Sequence, residues 1–403
     1  MARRIAFASI TAAAAATALL LGGVFSSEKA PPTASSADAL VERSASLLDR
    51  ARQTGDFSYL ARADRRVAEA ERSGGASPDT LALRGALANY RHRFDEGLAL
   101  ANRSLAREPQ NIYALGVRAD ALFELGRYRE AVRAFDELVE LAPDAPSYTR
   151  AAQARQLLGR PKAAIEAAEL AVEAATGKRL EAFERVYLGS LLVNGGRLAR
   201  AEHEFRRALG ARPSYAPALA GLGDVAEARG ELRSAASFFR RALARTPSAS
   251  YAESLAGVLL RLGDTAGASA AYEAAERRGT AFSLQGGRDE LGSALLDLDR
   301  NVNVRDALRR AREGRRLRPS VEGDHVLAWA LYKNGRCDEA HRYSVSALRF
   351  RTQDLDALYH RSLIERCLGN VAESRRFIER LRRINPYYLA APPSARQFPL
   401  LVP

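Results

Sequence analysis

Residues 112–145 carry the pattern that decides the fold, and they read IYALGVRADALFELGRYREAVRAFDELVELAPDA. Gly126 divides the stretch, Ala131 and Phe135 follow with the spacing Ala-x-x-x-Phe, and Pro143 comes eight residues after the aromatic ring. The chain as a whole is rich in Ala, Leu, Arg and Glu and poor in Ile and Thr. Such a composition favours helices over strands.

The same order of residues recurs along most of the chain, at a period close to 34 residues. Successive glycines are separated by 33, 37, 34 and 33 residues and stand at Gly126, Gly159, Gly196, Gly230 and Gly263. The proline and the alanine–aromatic pair keep this period at Pro109, Pro143, Pro213 and Pro247, and at Ala201/Phe205, Ala235/Phe239 and Ala268/Tyr272. A fixed period of this length is the signature of a repeat architecture.

The pattern resembles the tetratricopeptide repeat family, and in particular its exported bacterial members. The resemblance implies an all-α fold, a right-handed α-solenoid of stacked helix–turn–helix units. Nine units fit residues 78–386: 78–111, 112–145, 146–181, 182–215, 216–248, 249–281, 288–320, 321–354 and 355–386. A degenerate helical repeat over 41–77 precedes them, and residues 280–287 interrupt the period. The tryptophan that the family carries early in its first helix is absent from every unit.

Small residues at the repeated positions have a physical reason in such an array. Two short helices cannot bury their apolar faces alone, so units must stack, and alanine and glycine let neighbouring helices approach. Residues such as Ala119, Gly189, Gly223 and Ala235 are predicted to lie at these joints. The glycine of each turn is predicted to adopt a left-handed conformation at the end of the first helix.

The N-terminus predicts export. Arg3 and Arg4 precede an uncharged apolar stretch that ends near Phe25, so residues 1–25 form a signal peptide or a signal anchor. The basic start would stay in the cytoplasm, which places the rest of the chain outside, secreted or attached to the membrane through residues 5–25. Residues 26–40 contain prolines and serines and are predicted to be a flexible spacer. The alternative is a cytosolic helix with an Ala-rich end.

The charge balance by itself suggests an anionic partner. The chain has 61 basic and 48 acidic residues and a net charge of +13. Its arginines concentrate on the second helices, as at 240–241, 309–310 and 375–376, which favours an arginine-rich outer surface. No basic segment is interleaved with aromatic residues, so no nucleic-acid partner is expected.

Three short fragments resemble catalytic or nucleotide-binding motifs. Gly221-Leu-Gly223-Asp-Val-Ala226 matches a dinucleotide fingerprint, but it lies within a predicted helix instead of after a strand. Gly177-Lys178 lacks the earlier glycine of a phosphate loop, and His203-Glu204 lacks the second histidine of a zinc-protease helix. The sequence predicts no catalytic residue, no cofactor and no metal site.

In the family that the chain resembles, the concave surface is built from fixed positions of each first helix. Those positions carry carboxylates and aromatic rings in this chain, which predicts an acidic groove with an aromatic patch that binds a protein or peptide. The predicted groove residues are Asp120, Phe123, Glu124, Asp224, Glu227, Glu253, Glu322, His325, Trp329, Tyr332 and Tyr359. Ordinary packing of the aromatic rings is the alternative interpretation.

Two histidines and two cysteines of the last units are predicted to lie close to each other. His325 and His360 occupy nearly the same place in consecutive units, which leaves a metal pair or two unrelated histidines open. Cys337 and Cys367 lie at helix ends that antiparallel stacking brings together, so they form either a disulfide or two buried thiols. The apolar tail 387–403 is predicted to cap the last helix, with partner docking as the alternative.

The resemblance and the leader together predict a non-catalytic, exported scaffold that binds protein segments. One alternative is an accessory subunit that presents substrate to an envelope enzyme complex. The other is a cytosolic regulatory protein, which requires that residues 1–25 do not direct export.

Overall fold

The computed structural model describes residues 36–389, and these residues form twenty α-helices and no strand. The helices are α1 Ser36–Thr54, α2 Ser58–Gly74, α3 Pro78–Tyr90, α4 Phe94–Leu105, α5 Ile112–Glu124, α6 Tyr128–Leu141, α7 Ala145–Leu157, α8 Pro161–Ala174, α9 Gly177–Asn194, α10 Leu198–Ala211, α11 Ala216–Ala228, α12 Leu232–Arg245, α13 Ala249–Leu262, α14 Thr265–Leu284, α15 Glu290–Arg300, α16 Val304–Leu317, α17 Val321–Lys333, α18 Cys337–Ala347, α19 Leu355–Cys367 and α20 Val371–Ile384. Consecutive helices pair into ten helix–turn–helix units, numbered 1 to 10 in chain order, that stack as a right-handed α-solenoid.

The turn between the two helices of most units contains a left-handed glycine, as predicted. Gly126 has φ +71° and Gly230 has φ +79°, and the glycines at 159, 196, 263, 335 and 369 also have positive φ. The Gly126 N–H donates to the carbonyl of Phe123, which satisfies one of the free acceptors at the end of α5. A residue with a Cβ adopts this conformation only at a cost in free energy.

Glycines inside the first helices leave room for aromatic rings of the second helices. A Cβ on Gly223 would lie 2.7 Å from the Phe239 ring, and a Cβ on Gly189 would lie 2.5 Å from the Phe205 ring. Both rings are fully buried. Residues 221–226, which resemble a dinucleotide fingerprint, lie inside α11, so the packing interpretation of these glycines is confirmed.

Short polar side chains begin several of the first helices. The side chains of Asn111, Asp144, Ser320 and Asp354 accept hydrogen bonds from backbone N–H groups in the first turns of α5, α7, α17 and α19. Each supplies a hydrogen-bond acceptor to a backbone N–H group that has no carbonyl partner within the helix.

Three segments depart from the regular period. Helix α1 begins at Ser36, so the last residues of the predicted spacer are helical. Helix α14 is 20 residues long and runs through much of the interruption at 280–287. After α20 the chain turns, and the buried Tyr388 packs against the last units. The leader, residues 26–35 of the spacer and residues 390–403 of the tail lie outside the described residues.

The solenoid comes into contact with itself after one superhelical turn. The helix–helix turns of units 1–5 touch the loops that follow units 6–10, and we call this contact the intramolecular interface. The backbone of Arg288 donates to Arg91 O at 2.9 Å, and Val321 N donates to the Tyr128 hydroxyl at 2.8 Å. Further along, Asn385 Nδ2 donates to Val193 O at 2.9 Å. The two halves of the chain therefore form one packed body.

Candidate functional site

A cavity of about 110 Å³ lies at the intramolecular interface, between units 3–5 and units 9–10. Four predicted groove residues line it: Phe123, Glu124, Glu322 and His325. The first two belong to the end of α5 and the last two to the start of α17. Other lining residues are Tyr128, Gln153, Gln156, Leu157, Asn194, Ser320, Val321, Ala347, Thr352, Asp354 and Ala357. The superhelical turn thus joins residues that lie about two hundred positions apart in the sequence.

Arg318 bridges the two sides of this site. Its guanidinium binds the carboxylate of Glu124 across the intramolecular interface and that of Glu322 on its own side, at 2.5 Å. Arg318 and Glu124 are both buried. Burial by itself lowers the pKa of Arg318, but Glu322 and Glu124 outweigh it and hold that pKa above its usual range. The arginine therefore stays charged and ties the two halves together.

Tyr128 closes the site from the side of unit 3. Its ring packs edge-on against Phe123, with centroids 5.3 Å apart, and edge-on against Phe350 of the loop after α18 at the same distance. Its hydroxyl accepts the Val321 N–H, so the first turn of α17 is held against unit 3. Burial raises the pKa of Tyr128 above its usual value, and the hydroxyl remains neutral.

Asp354 adds a third carboxylate to the lining. Its side chain accepts the Ala357 N–H at 2.9 Å and so caps α19. Burial, with a smaller contribution from the negative charge of Glu322, raises the pKa of Asp354 to about 6. The lining thus has three carboxylates, of Glu124, Glu322 and Asp354, and Arg318 pairs with the first two, so at neutral pH the site has an excess of negative charge.

The predicted aromatic patch is mainly a packing cluster. Trp329 is 2% exposed, its indole stacks on the His360 ring with centroids 3.7 Å apart, and its Nε1 donates to Asp299 at 3.1 Å. His325 Nε2 lies 2.9 Å from His360 Nδ1. The expected approach of the two histidines is found, but Trp329 is a core residue and not an exposed anchor.

The predicted acidic groove also needs correction, because arginines neutralise several of its carboxylates. Asp120 is buried in a two-point ion pair with Arg150, at 2.8 and 2.9 Å. Glu227 is buried beside Arg261, at 2.9 Å, although burial still raises the pKa of Glu227 to about 7. At Asp120 and Glu227 the predicted groove carboxylates are therefore buried and ion-paired, and they do not give the groove the acidic surface that was expected.

The remaining predicted residues are half-buried and lie away from the cavity. They are Asp224, Glu253, Tyr332 and Tyr359. Asp224 Oδ1 has no hydrogen-bond partner in the described part of the chain, and burial and then Glu227 raise the pKa of Asp224. The Tyr332 ring stacks on Trp329, with centroids 5.1 Å apart.

Cys337 and Cys367 are joined in a disulfide, with their Cα atoms 6.1 Å apart. The bond links the start of α18 to the end of α19 and so ties unit 9 to unit 10. Of the two interpretations that the sequence left open, the structure has the disulfide.

Two absences apply to residues 36–389 alone. No group of three or more His, Cys, Asp and Glu side chains in that range is placed to hold a metal ion. Helices both long and apolar enough to cross a bilayer are likewise lacking there.

Family models described as tetratricopeptide repeat match residues 90–156, 145–176, 188–250 and 325–388. The chain belongs to the tetratricopeptide repeat family. Such repeats form protein-binding scaffolds, and the ten units of this chain are a scaffold of that kind. No curated protein is significantly similar to it in sequence.

Three solved structures illustrate the similarity of fold. The first is PilW, a type IV pilus biogenesis factor, with 19% identity, a TM-score of 0.42, and coverage of 48% of this chain and 90% of PilW. The second is a tetratricopeptide repeat protein from Parabacteroides merdae, with 17% identity, a TM-score of 0.43, and coverage of 62% and 99%. The third is the human IFIT1 dimer with PPP-AAAA, with 16% identity, a TM-score of 0.47, and coverage of 86% and 84%.

Several residues of the site were not predicted from the sequence. Arg318, Tyr128 and Asp354 lie at or next to the ends of helices, outside the first-helix positions from which the groove was predicted. No spacing in the sequence indicates that Arg318 meets Glu124. The contact depends on the rise of the whole solenoid over one turn.

Proposed function

We propose that this tetratricopeptide repeat protein is a non-catalytic, exported scaffold that holds a segment of a protein partner at the cavity of the intramolecular interface. One observation carries the proposal: Phe123, Glu124, Glu322 and Asp354 converge there from both halves of the chain. A volume of about 110 Å³ admits one small side chain or the end of a longer one. The excess of carboxylates favours a cationic group, such as a lysine or an amino terminus, beside the Phe123 ring.

Two observations support the location outside the cytoplasm. The sequence begins with a basic and then apolar stretch of the kind that directs export. The disulfide between Cys337 and Cys367 is a bond that persists in oxidising compartments and is rare in the cytosol.

The binding site is tested by photo-crosslinking in intact cells. A photoreactive phenylalanine analogue replaces Phe123, and in a matched control it replaces Phe238, which is half-buried on α12 away from the cavity. We expect a partner to be crosslinked through position 123 and not through position 238, and to be lost when Glu322 is changed to Lys. Equal crosslinking from both positions would contradict the cavity as the binding site.

Export is tested separately by cell fractionation and thiol labelling. We expect the protein in the envelope or extracellular fraction, with Cys337 and Cys367 protected from alkylation until a reductant is added. A full-length, cytosolic protein with both thiols reduced would overturn the proposed location and would leave the binding site to its own test.

A further inference from the structure

Five arginines gather on the outside of the intramolecular interface, at the end that joins units 4–5 to units 9–10. We call them the arginine surface: Arg160, Arg197, Arg351, Arg380 and Arg383. They come from the turn after α7, the turn after α9, the loop after α18 and the last helix, α20. Four are exposed, and Arg380 is half-buried.

Backbone contacts between the two halves place these residues together. Gly159, the neighbour of Arg160, lies so close to the Arg351 carbonyl that a Cβ on the glycine would collide with it. A Cβ on Gly196, the neighbour of Arg197, would lie 3.4 Å from Asn385 Oδ1. Arg380 Nη2 donates to the carbonyls of Arg351 and Thr352, at 3.1 and 3.2 Å. The surface is therefore held by backbone geometry from both halves of the chain.

The charges on this surface are not compensated. None of its five arginines forms an ion pair with any residue of the described part of the chain, whereas Arg318, Arg315 and Arg349 at the neighbouring part of the interface all do. Glu166 on α8 and Glu379 on α20 are exposed and make no ion pair with them, and Asp354, three residues after Arg351, accepts the Ala357 N–H instead.

Two further observations concern these cations: three of them act on one another, and the backbone at Arg351 is strained. Burial, and then the charges of Arg351 and Arg383, lower the pKa of Arg380. Arg351 itself has φ +58°, a left-handed conformation that glycine or asparagine adopts at less cost. The loop therefore keeps a large cation where the backbone favours a small residue.

We propose that the arginine surface binds an acidic segment of a protein partner, which lies across the intramolecular interface from unit 4 to unit 10. Guanidinium groups bind carboxylates in a planar, two-point geometry. An extended acidic chain can contact arginines on both sides of the interface, and a bound chain offsets repulsion that the protein itself leaves in place. This inference goes beyond the proposed function, because it concerns a separate surface and does not depend on the cavity.

The test measures binding of a fluorescein-labelled decaglutamate peptide to the purified protein by fluorescence anisotropy at low salt. One variant carries Arg160→Glu, Arg351→Glu and Arg383→Glu. The matched control carries Arg207→Glu, Arg233→Glu and Arg240→Glu, three exposed arginines of α10 and α12 that also lack ion pairs. Both variants change the net charge equally. Glutamine at 160, 351 and 383 repeats the measurement with no added negative charge, and circular dichroism checks the fold of each protein.

We expect the Kd for the peptide to rise about tenfold in the first variant and less than about twofold in the control. An equal rise in both variants would show that binding follows total charge alone and would overturn the proposal. Vesicles of phosphatidylglycerol and single-stranded DNA serve as further probes. If either binds more tightly than the peptide and loses binding through the same three substitutions, the acidic protein segment is the wrong partner.

Discussion

In two parts of the intramolecular interface a helix–helix turn packs on a loop, but the arginines are ion-paired in one part and unpaired in the other. Where unit 3 meets unit 9, Arg318 is buried between Glu124 and Glu322. Where units 4–5 meet units 9–10, Arg160 and Arg351 are exposed and have no anionic partner in the described chain. Compensated charge at the first part joins the two halves, whereas uncompensated charge at the second part remains available to another molecule.

The second part is instead held by apolar contacts. Leu192 of α9 belongs to the same buried cluster as Leu358, Leu381 and Tyr388 of the last unit, so one core runs across the interface. The arginines stand outside this core and are not needed to close it. Removal of an arginine should therefore have different consequences at the two parts. At the first part, loss of Arg318 should lower stability, and at the second part, loss of the surface arginines should weaken binding.

The largest expected effect is from Arg318→Met. It leaves Glu124 and Glu322 without their counter-charge at a buried contact, and we expect the free energy of unfolding to fall by about 3–5 kcal/mol in a urea titration. Arg316→Met is the control, because Arg316 pairs with Glu313 at an exposed position. It should leave the free energy of unfolding close to that of the parent chain, because solvent screens an exposed ion pair. Similar losses in both variants would remove the distinction between the two parts.

Loss of the disulfide should come next, through Cys337→Ser and Cys367→Ser together. A bond that closes a loop across 30 residues stabilises a fold by about 3–4 kcal/mol. Because it ties unit 9 to unit 10, we expect faster hydrogen exchange at residues 349–358 and 381–389. The first turn of α5 should exchange as before. Uniform acceleration along the chain would show that the bond does not act locally.

Substitution of turn glycines gives an intermediate effect. Gly159→Ala and Gly230→Ala both force alanine into a left-handed conformation, but only at Gly159 would the new Cβ meet the other half of the chain. We expect Gly159→Ala to cost about 1–3 kcal/mol more than Gly230→Ala in thermal or urea unfolding. Equal costs would mean that the interface opens without penalty.

The smallest effect concerns pH at the ion-paired part. The pKa of Asp354 is about 6 in the folded chain, against 3.8 for an ordinary aspartate. The unfolded chain therefore loses this proton first, and the contribution to stability is full below about pH 4 and declines as the pH rises to about 6. An asparagine at this position still caps α19, but it does not titrate. In Asp354→Asn the free energy of unfolding, from urea titrations at several pH values, should therefore fall by about 1–2 kcal/mol less between pH 4 and pH 6 than in the parent chain.

The exposed Glu379 provides the control for that measurement. Glu379→Gln removes one exposed carboxyl and is titrated over the same pH range for comparison. If Asp354→Asn leaves the pH dependence of unfolding as it is in the parent chain, Asp354 does not have the raised pKa that burial gives it in the structure.

Much of the fold followed from local rules in the sequence. The period of the glycines predicted the units, and Gly126 and Gly230 have the left-handed turns that the period required. Phe205 and Phe239 fill the joints that the small residues leave open. Such features depend on neighbours within one or two repeats, and so they can be read from spacing alone.

The site was less predictable, because its partners come from distant units. Asp120 and Glu227 occupy the predicted concave positions, but Arg150 and Arg261 of the next units bury and neutralise them. Trp329 lies in the predicted aromatic patch, yet stacking on His360 makes it part of the core. A residue can be assigned to the concave face of its helix from the sequence of one unit. That assignment does not show whether an arginine of the next unit pairs with it.

The sequence by itself determined the repeat, the helical units and the turn glycines, because these depend on residues close together in the chain. The tertiary structure alone decided that Glu124 meets Arg318 and that Gly159 meets the backbone of Arg351. The physical reason is cumulative: each unit adds a small rotation and rise, and only their total over one superhelical turn brings units 1–5 against units 6–10.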